Sequence, residues 1–295
     1  MTALTSLPIT DPTLSGMDGF EQQRDHLCGP YWAARVLRDA GVSTWDGQLV
    51  DQDLMATLAG ARLPDARAEG ADRARPDSLA ASDKGRDEGR EEAGVPRGAR
   101  SNHAYRSQLP TVAAERAGTS VAGLSKAIEH VGAGRVKCIP IRGKWSAQQI
   151  STLMQRCHGL AVEGMAPSVR LIANLRTGLL WGTRPPAQLL LASLRGLDVD
   201  GPEPEWDVGH FCELAELLRG RRGELVVVAD SYATLGWHGV HVQPTGVVAA
   251  ALNRSDGRSG GVLVVAPAEL EASVTAVAHA TGLEVGVWDN GSEEA

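Results

Sequence analysis

The sequence predicts an α+β protein with a mainly antiparallel sheet. Segments with helical spacing of apolar residues lie mainly in the first half of the chain, and most strand-like segments lie in the second half. Residues 209–230 have the pattern of a hairpin, which pairs neighbouring strands antiparallel. This order favours an α+β fold over a doubly wound one, and we expect a single domain over residues 1–295.

The first predicted helix covers Pro30–Ala40. Trp32, Val36 and Leu37 share one face of it, Pro30 suits its first turn and Gly41 suits its end. A second, short helix is predicted over residues 51–60.

The helix over residues 145–157 has the most completely specified start. Ser146 is placed as the N-cap with Gln149 three residues later, which is a capping box, and Trp145 and Ile150 are placed as a hydrophobic staple. Two further helices are predicted over residues 119–134 and 185–196.

Strand-like segments account for much of the remaining sequence. Three are predicted over residues 135–141, 169–175 and 178–182. The hairpin over 209–230 has the sequence RGRRG at its tip, and residues 260–289 follow as strand, helix and strand.

A charged stretch interrupts the first half of the chain. Residues 65–104 contain almost no aromatic or β-branched residue, while Asp, Glu and Arg alternate with Gly, Ala and Pro. Such a segment cannot bury enough apolar surface to offset its chain entropy. We expect residues 65–104 to be a disordered insertion within the domain.

Composition excludes several classes of function. A net charge of −7 without a basic stripe argues against nucleic-acid binding, and no apolar stretch approaches the roughly 20 residues of a membrane helix. We therefore expect a cytoplasmic protein with neither nucleic acid nor membrane as a partner. Four scattered cysteines without a CxxC pair indicate free thiols rather than zinc or disulfides, and no cofactor is predicted.

Cys28 is the candidate nucleophile because it lies at the start of the first predicted helix. The N-terminus of a helix offers partial positive charge and unpaired N–H groups, which stabilise a thiolate. The alternative is that Cys28 only packs beneath the helix.

His210 is the candidate base among eight histidines because it begins the first strand of the hairpin. If the tip is centred near Gly220, His210 faces Asp230 directly, with Cβ atoms roughly 5 Å apart. The carboxylate would then hold the imidazole ring and fix its tautomer. A shift of one residue at the tip would still leave a diagonal contact.

These residues together resemble the papain-like cysteine peptidases. The resemblance rests on Cys28 at a helix start, Gln22 six residues earlier, and VGHF at the start of a strand, with an acid at the end of the next strand. These features are most similar to those of the bacterial peptidases that cut leader peptides after a double glycine. The resemblance covers about residues 15–245. It implies a papain-like fold with Cys28 as nucleophile, His210 as base, Asp230 as orienter and Gln22 as oxyanion donor.

Some features depart from that family. Ser231 stands where a proline commonly follows the acid, and Gln23 competes with Gln22 for the oxyanion role. Residues 231–244 form a predicted loop after the acid, and its Tyr232 and Trp237 are candidates for binding substrate. The plain alternative is that these rings pack on the sheet. In a less favoured alternative, His238 and His241 bind a metal with Cys212 or His210.

The expected function is a cysteine-dependent hydrolase acting on a peptide or small amide through an acyl-enzyme. An acyl transferase, transpeptidase or cyclase with the same triad is a second possibility. A non-catalytic peptide-binding module with the same fold is a third. The sequence leaves the substrate and the oligomeric state open.

Overall fold

The computed structural model of the protein describes residues 5–6, 21–65, 95–160 and 169–294. These residues form helices and a mainly antiparallel sheet, which confirms the predicted α+β class. The helices within them are α1 Cys28–Asp39, α2 Gln52–Leu58, α3 Val121–Gly132, α4 Ala147–His158, α5 Ala187–Leu194, α6 Thr245–Asn253 and α7 Glu271–Ala280.

The strands within the same residues are β1 Thr5–Ser6, β2 Thr44–Trp45, β3 Gln48–Leu49, β4 Leu63–Pro64, β5 Thr111–Val112, β6 Val136–Arg142, β7 Arg170–Arg176, β8 Gly209–Arg219, β9 Glu224–Ala229, β10 Val240–Pro244, β11 Gly261–Pro267 and β12 Glu284–Val285. The main sheet has the order β10-β9-β8-β7-β11-β6-β12, and β1 also pairs with β8. All of these pairs are antiparallel, whereas β2–β3 and β4–β5 form two small separate sheets.

Helices cover both faces of the main sheet. Because side chains alternate along a strand, neighbouring strand residues belong to different cores. Trp32 of α1 and Leu124 of α3 share one core with Phe211 of β8. Ile150 of α4 and Val248 of α6 belong to the other core. They share it with every second residue of β11, beginning at Val262.

Local sequence signals account for several element boundaries. The capping box is confirmed, since the Gln149 N–H donates to Ser146 Oγ at 3.3 Å and the Ser146 hydroxyl donates to Gln149 Oε1 at 2.9 Å. The strand predicted over residues 178–182 is wrong, because the chain makes a 3₁₀ turn at Thr177–Leu179. Part of the loop predicted over residues 231–244 is strand β10, and α6 follows it.

Most of the predicted insertion, residues 66–94, lies outside the described residues. Its last residues adjoin the segment that precedes α1. The Asp25 N–H donates to the Asn102 carbonyl and the Asn102 N–H donates to Asp25 Oδ2, both at 3.0 Å. Arg24 Nε donates to the Ala104 carbonyl at 2.6 Å, so residues 102–104 make specific backbone contacts with the chain near Cys28.

The hairpin of β8 and β9 sets the position of the candidate site. Because the strands are antiparallel, His210 at the start of β8 and Asp230 just after β9 lie at the same end of the hairpin, away from its tip at residues 220–223. Among the described helices, none combines the length and apolar character needed to cross a membrane.

Candidate active site

Cys28 is the first residue of α1, and its side chain is half-buried. The helix approaches the sheet closely because Gly29 has no side chain. A Cβ atom at residue 29 would lie 3.1 Å from Leu124 and 3.2 Å from Phe211. This close packing places the thiol beside the start of β8.

His210 and Asp230 are in contact, as predicted. His210 Nε2 lies 3.2 Å from each carboxylate oxygen of Asp230, and both side chains are buried. The predicted direct opposition is wrong, because the hairpin tip is centred beyond Gly220, and the bulge between Leu214 and Glu216 takes back only one residue of that offset, so that Glu213 pairs with Ala229. The contact is therefore the diagonal one, with Asp230 two residues off direct opposition.

The thiol of Cys28 is the third group of the site. Cys28 and His210 line the same cavity. Burial alone lowers the pKa of His210, but its interactions with Asp230 and with Cys28 raise it to about 10.

Asp230 has several partners besides His210. The backbone N–H of Tyr232 donates to its Oδ1 at 3.0 Å. Burial raises the pKa of Asp230, yet the charge and hydrogen bond of His210, together with the nearby His241, outweigh burial and hold that pKa well below its usual range. The carboxylate therefore stays ionised.

Aromatic rings enclose the His210–Asp230 pair. The Trp206 ring lies 4.7 Å from the His210 ring and 5.4 Å from the Tyr232 ring. Tyr232 is only 2% exposed and does not line the cavity beside Cys28, while Trp237 is 54% exposed and lies outside that cavity. Neither of the two residues expected to bind substrate, Tyr232 and Trp237, lines this cavity, whereas Trp206 does.

The two adjacent glutamines have different environments. Gln22 is exposed, lies outside the cavity and uses its carbonyl to accept from Gln52 Nε2 at 2.9 Å. Gln23 is buried and lines the cavity, and its Oε1 accepts a hydrogen bond from the Ser231 hydroxyl. Of the two glutamines that the sequence left in competition for the oxyanion role, Gln23 lies at the cavity and Gln22 does not.

A cavity of about 460 Å³ opens beside these groups. Arg176 and Arg254 line it, each held by two hydrogen bonds to an aspartate, Asp207 and Asp256 respectively. Other lining residues come from three different parts of the chain, at residues 23–28, 206–211 and 290–292. A cavity open to solvent beside a paired thiol and imidazole can admit an acyl compound.

The metal alternative finds no support in the part of the chain that the structure describes. No three His, Cys, Asp or Glu side chains there form a group that could hold a metal ion. His238 is exposed, whereas His241 is buried on β10 and faces Asp230. The two histidines therefore have different surroundings despite their spacing.

The sequence analysis did not predict that Trp206 and His241 lie beside the His210–Asp230 pair. Trp206 is an aromatic residue four positions before His210 in a segment without regular structure, so no periodicity indicated its role. His241 and Gln243 alternate with apolar residues in Val240–Pro244, a pattern typical of a strand. That alternation was the available signal for placing His241 beside Asp230.

Comparison with known proteins gives one match. A family model described as "Family of unknown function (DUF6885)" matches residues 19–289. No curated protein and no solved structure matches the chain.

Proposed function

Because the chain belongs to the family of unknown function DUF6885, we propose its activity from the chemistry of the site: a cysteine-dependent hydrolase that cleaves a peptide or amide bond through an acyl-enzyme. One observation carries the proposal. His210 Nε2 contacts the buried carboxylate of Asp230 at 3.2 Å, and the same side chain interacts with the thiol of Cys28 at the start of α1. A nucleophile, a base and an orienting group are thus together beside an open cavity.

The proposed reaction begins with the Cys28 thiolate and the His210 imidazolium. The thiolate attacks the substrate carbonyl carbon, a C–S bond forms, and the carbonyl electron pair moves to oxygen. When the C–N bond breaks, the leaving amine takes the proton from His210. Neutral His210 then accepts a proton from water, which attacks the thioester and releases the acid and the thiolate.

The oxyanion needs hydrogen-bond donors that are in place before the reaction. The Cys28 backbone N–H at the start of α1 has no partner within the helix, and the Gln23 amide lines the same cavity. Ser231 occupies the oxygen of that amide, which leaves its NH₂ group to donate. These features, together with the α+β fold, support a papain-like enzyme.

Alkylation of the thiols with iodoacetamide at mildly acidic pH tests the proposal without a known substrate. Only an activated thiolate reacts quickly under these conditions. Cys138, Cys157 and Cys212 are buried, and burial raises the pKa of each thiol. We expect one fast site, mapped to Cys28 by mass spectrometry, with a rate at least about tenfold above that of a free cysteine.

The His210→Gln variant is the matched control for exposure, because it keeps Cys28 half-exposed but removes the imidazole. We expect its alkylation rate to fall to that of a free cysteine, since the thiolate loses its counter-ion. Equal rates in the wild type and in His210→Gln would contradict the proposal. So would turnover by Cys28→Ala of a peptide substrate found by screening.

A further inference from the structure

Behind Asp230 lies a second buried histidine that the proposed reaction does not use. His241 on β10 is 1% exposed, and its Nε2 lies 3.9 Å from Asp230 Oδ2. Its other ring nitrogen, Nδ1, lies 3.1 Å from Gln243 Nε2. His241 therefore lies between the carboxylate of the site and a fully buried amide.

The orientation of the Gln243 amide is fixed by the main chain. The Trp181 backbone N–H can only donate, and it meets Gln243 Oε1 at 2.9 Å. The Trp181 carbonyl can only accept, and it meets Gln243 Nε2 at 2.9 Å. A flipped amide would face donor with donor and acceptor with acceptor, so the NH₂ group must point towards His241.

This orientation also determines the tautomer of His241. Gln243 Nε2 donates to Nδ1, so Nδ1 accepts and the ring proton is on Nε2. The Nε2–H group then faces the Asp230 carboxylate, and it is one of the groups that lower the pKa of Asp230. Asp230 therefore has the Nε2 atoms of two buried histidines near its Oδ2, His210 at 3.2 Å and His241 at 3.9 Å.

We propose that His241, with its tautomer set by Gln243, is a positioning residue that holds Asp230 ionised and directed at His210. This inference rests on the proposed function, because it concerns the orienting carboxylate of that site. A proton on Nδ1 would instead present a bare nitrogen lone pair to Asp230 and repel it. The backbone of Trp181 thus influences the reactivity of Cys28 through four buried side chains.

Nitrogen NMR of the protein labelled with ¹⁵N-histidine tests the tautomer and requires no activity. Eight histidines are present, and the signals of His241 are identified as those missing from the His241→Gln variant. We expect a protonated Nε2 and an unprotonated, hydrogen-bonded Nδ1 in the wild type. We expect a mixture of tautomers in Gln243→Met, which cannot donate. A proton on Nδ1 in the wild type would overturn the proposal.

The rate of Cys28 alkylation tests the positioning role. His241→Gln keeps an N–H donor near Asp230, whereas His241→Met fills a similar volume without one. We expect His241→Met to lower the alkylation rate about tenfold, because loss of a residue that orients a functional group costs at least about that much. We expect His241→Gln to retain most of the wild-type rate. His279→Gln, an exposed change at the end of α7, is the control and should leave the rate unchanged.

The outcomes separate the two proposals. Slow alkylation of Cys28 in the wild type would refute the proposed function. Fast alkylation in the wild type that survives in both His241→Met and His241→Gln would refute the positioning role alone. Equal losses in these two variants would also refute it, since they would reflect disturbed packing rather than a missing donor.

Discussion

Ser231 links the two halves of the candidate site at the level of single residues. It directly follows Asp230 in the chain, and its hydroxyl donates to Gln23 Oε1. In the peptidases that this sequence resembles, a proline commonly follows the acid. Here Ser231 takes that position, and it is buried and hydrogen-bonded to Gln23, the proposed oxyanion donor. A proline at this position would have no hydroxyl, so it could not orient Gln23 in this way.

Replacement of Gln23 tests this assignment. We expect Gln23→Ala to lower kcat/KM about 100-fold, because loss of one oxyanion donor costs roughly that much. The measurement is hydrolysis of a peptide found by screening, after circular dichroism shows that the variant is folded. Gln22→Ala is the matched control, since this neighbour is exposed and outside the cavity. The reverse ranking of the two variants would return the role to Gln22.

The sequence alone could not show whether Gln22 or Gln23 faces the candidate site, for a physical reason. Residues 21–27 have no regular secondary structure, so no periodicity tells which side chain faces inward. The separation from Cys28 alone favours neither residue. Asn102 decides part of the question, because its Nδ2 donates to the Gln23 carbonyl at 3.3 Å across a long gap in sequence.

At the scale of elements, the contact between α1 and β8 brings the thiol to the imidazole. We expect Gly29→Ala to destabilise the protein by about 1–3 kcal/mol, because the added methyl group overlaps Leu124 and Phe211. It should also slow the alkylation of Cys28 by moving the helix start away from His210. Chemical denaturation and the alkylation rate measure the two effects.

Gly246 offers a matched control for this change. It is also the second residue of a helix, α6, but no atom lies within 4 Å of a Cβ atom there. Gly246→Ala should therefore leave the stability unchanged or raise it slightly, since alanine is the better helix former. Equal destabilisation by both substitutions would show that the contact with Leu124 and Phe211 is not responsible for the loss in Gly29→Ala.

The hairpin illustrates how far sequence reasoning reaches for an element. The order of strand, tip and strand predicted that His210 and Asp230 lie at one end, and they do. The register was wrong because the tip is centred beyond Gly220, and the bulge between Leu214 and Glu216 then takes back one residue of that offset. A bulge depends on tertiary packing, so a count from the tip cannot reveal it.

For the whole molecule, the buried ion pair couples folding to pH. The pKa of His210 is raised to about 10 in the folded protein, above its value of 6.5 in the unfolded chain. Its contribution to stability is therefore complete below about pH 6.5 and is lost as the pH rises towards 10. Asp230, whose pKa is lowered, contributes above its ordinary pKa and loses that contribution in acid.

Urea unfolding of the wild type and His210→Gln between pH 6 and 10 measures this coupling. We expect the unfolding free energy of the wild type, minus that of His210→Gln, to fall as the pH rises. The other titrating groups largely cancel in that difference. A difference that stays constant across the range would mean that His210 carries no extra proton in the folded state.

The positions of the three groups along the chain also bear on when the thiol becomes reactive. Cys28 lies near one end of the sequence, while His210 and Asp230 belong to its last third. A ribosome must therefore synthesise β8 and β9 before the imidazole can reach the thiol. Under the proposed mechanism, the thiol therefore gains its base only after most of the chain has been synthesised.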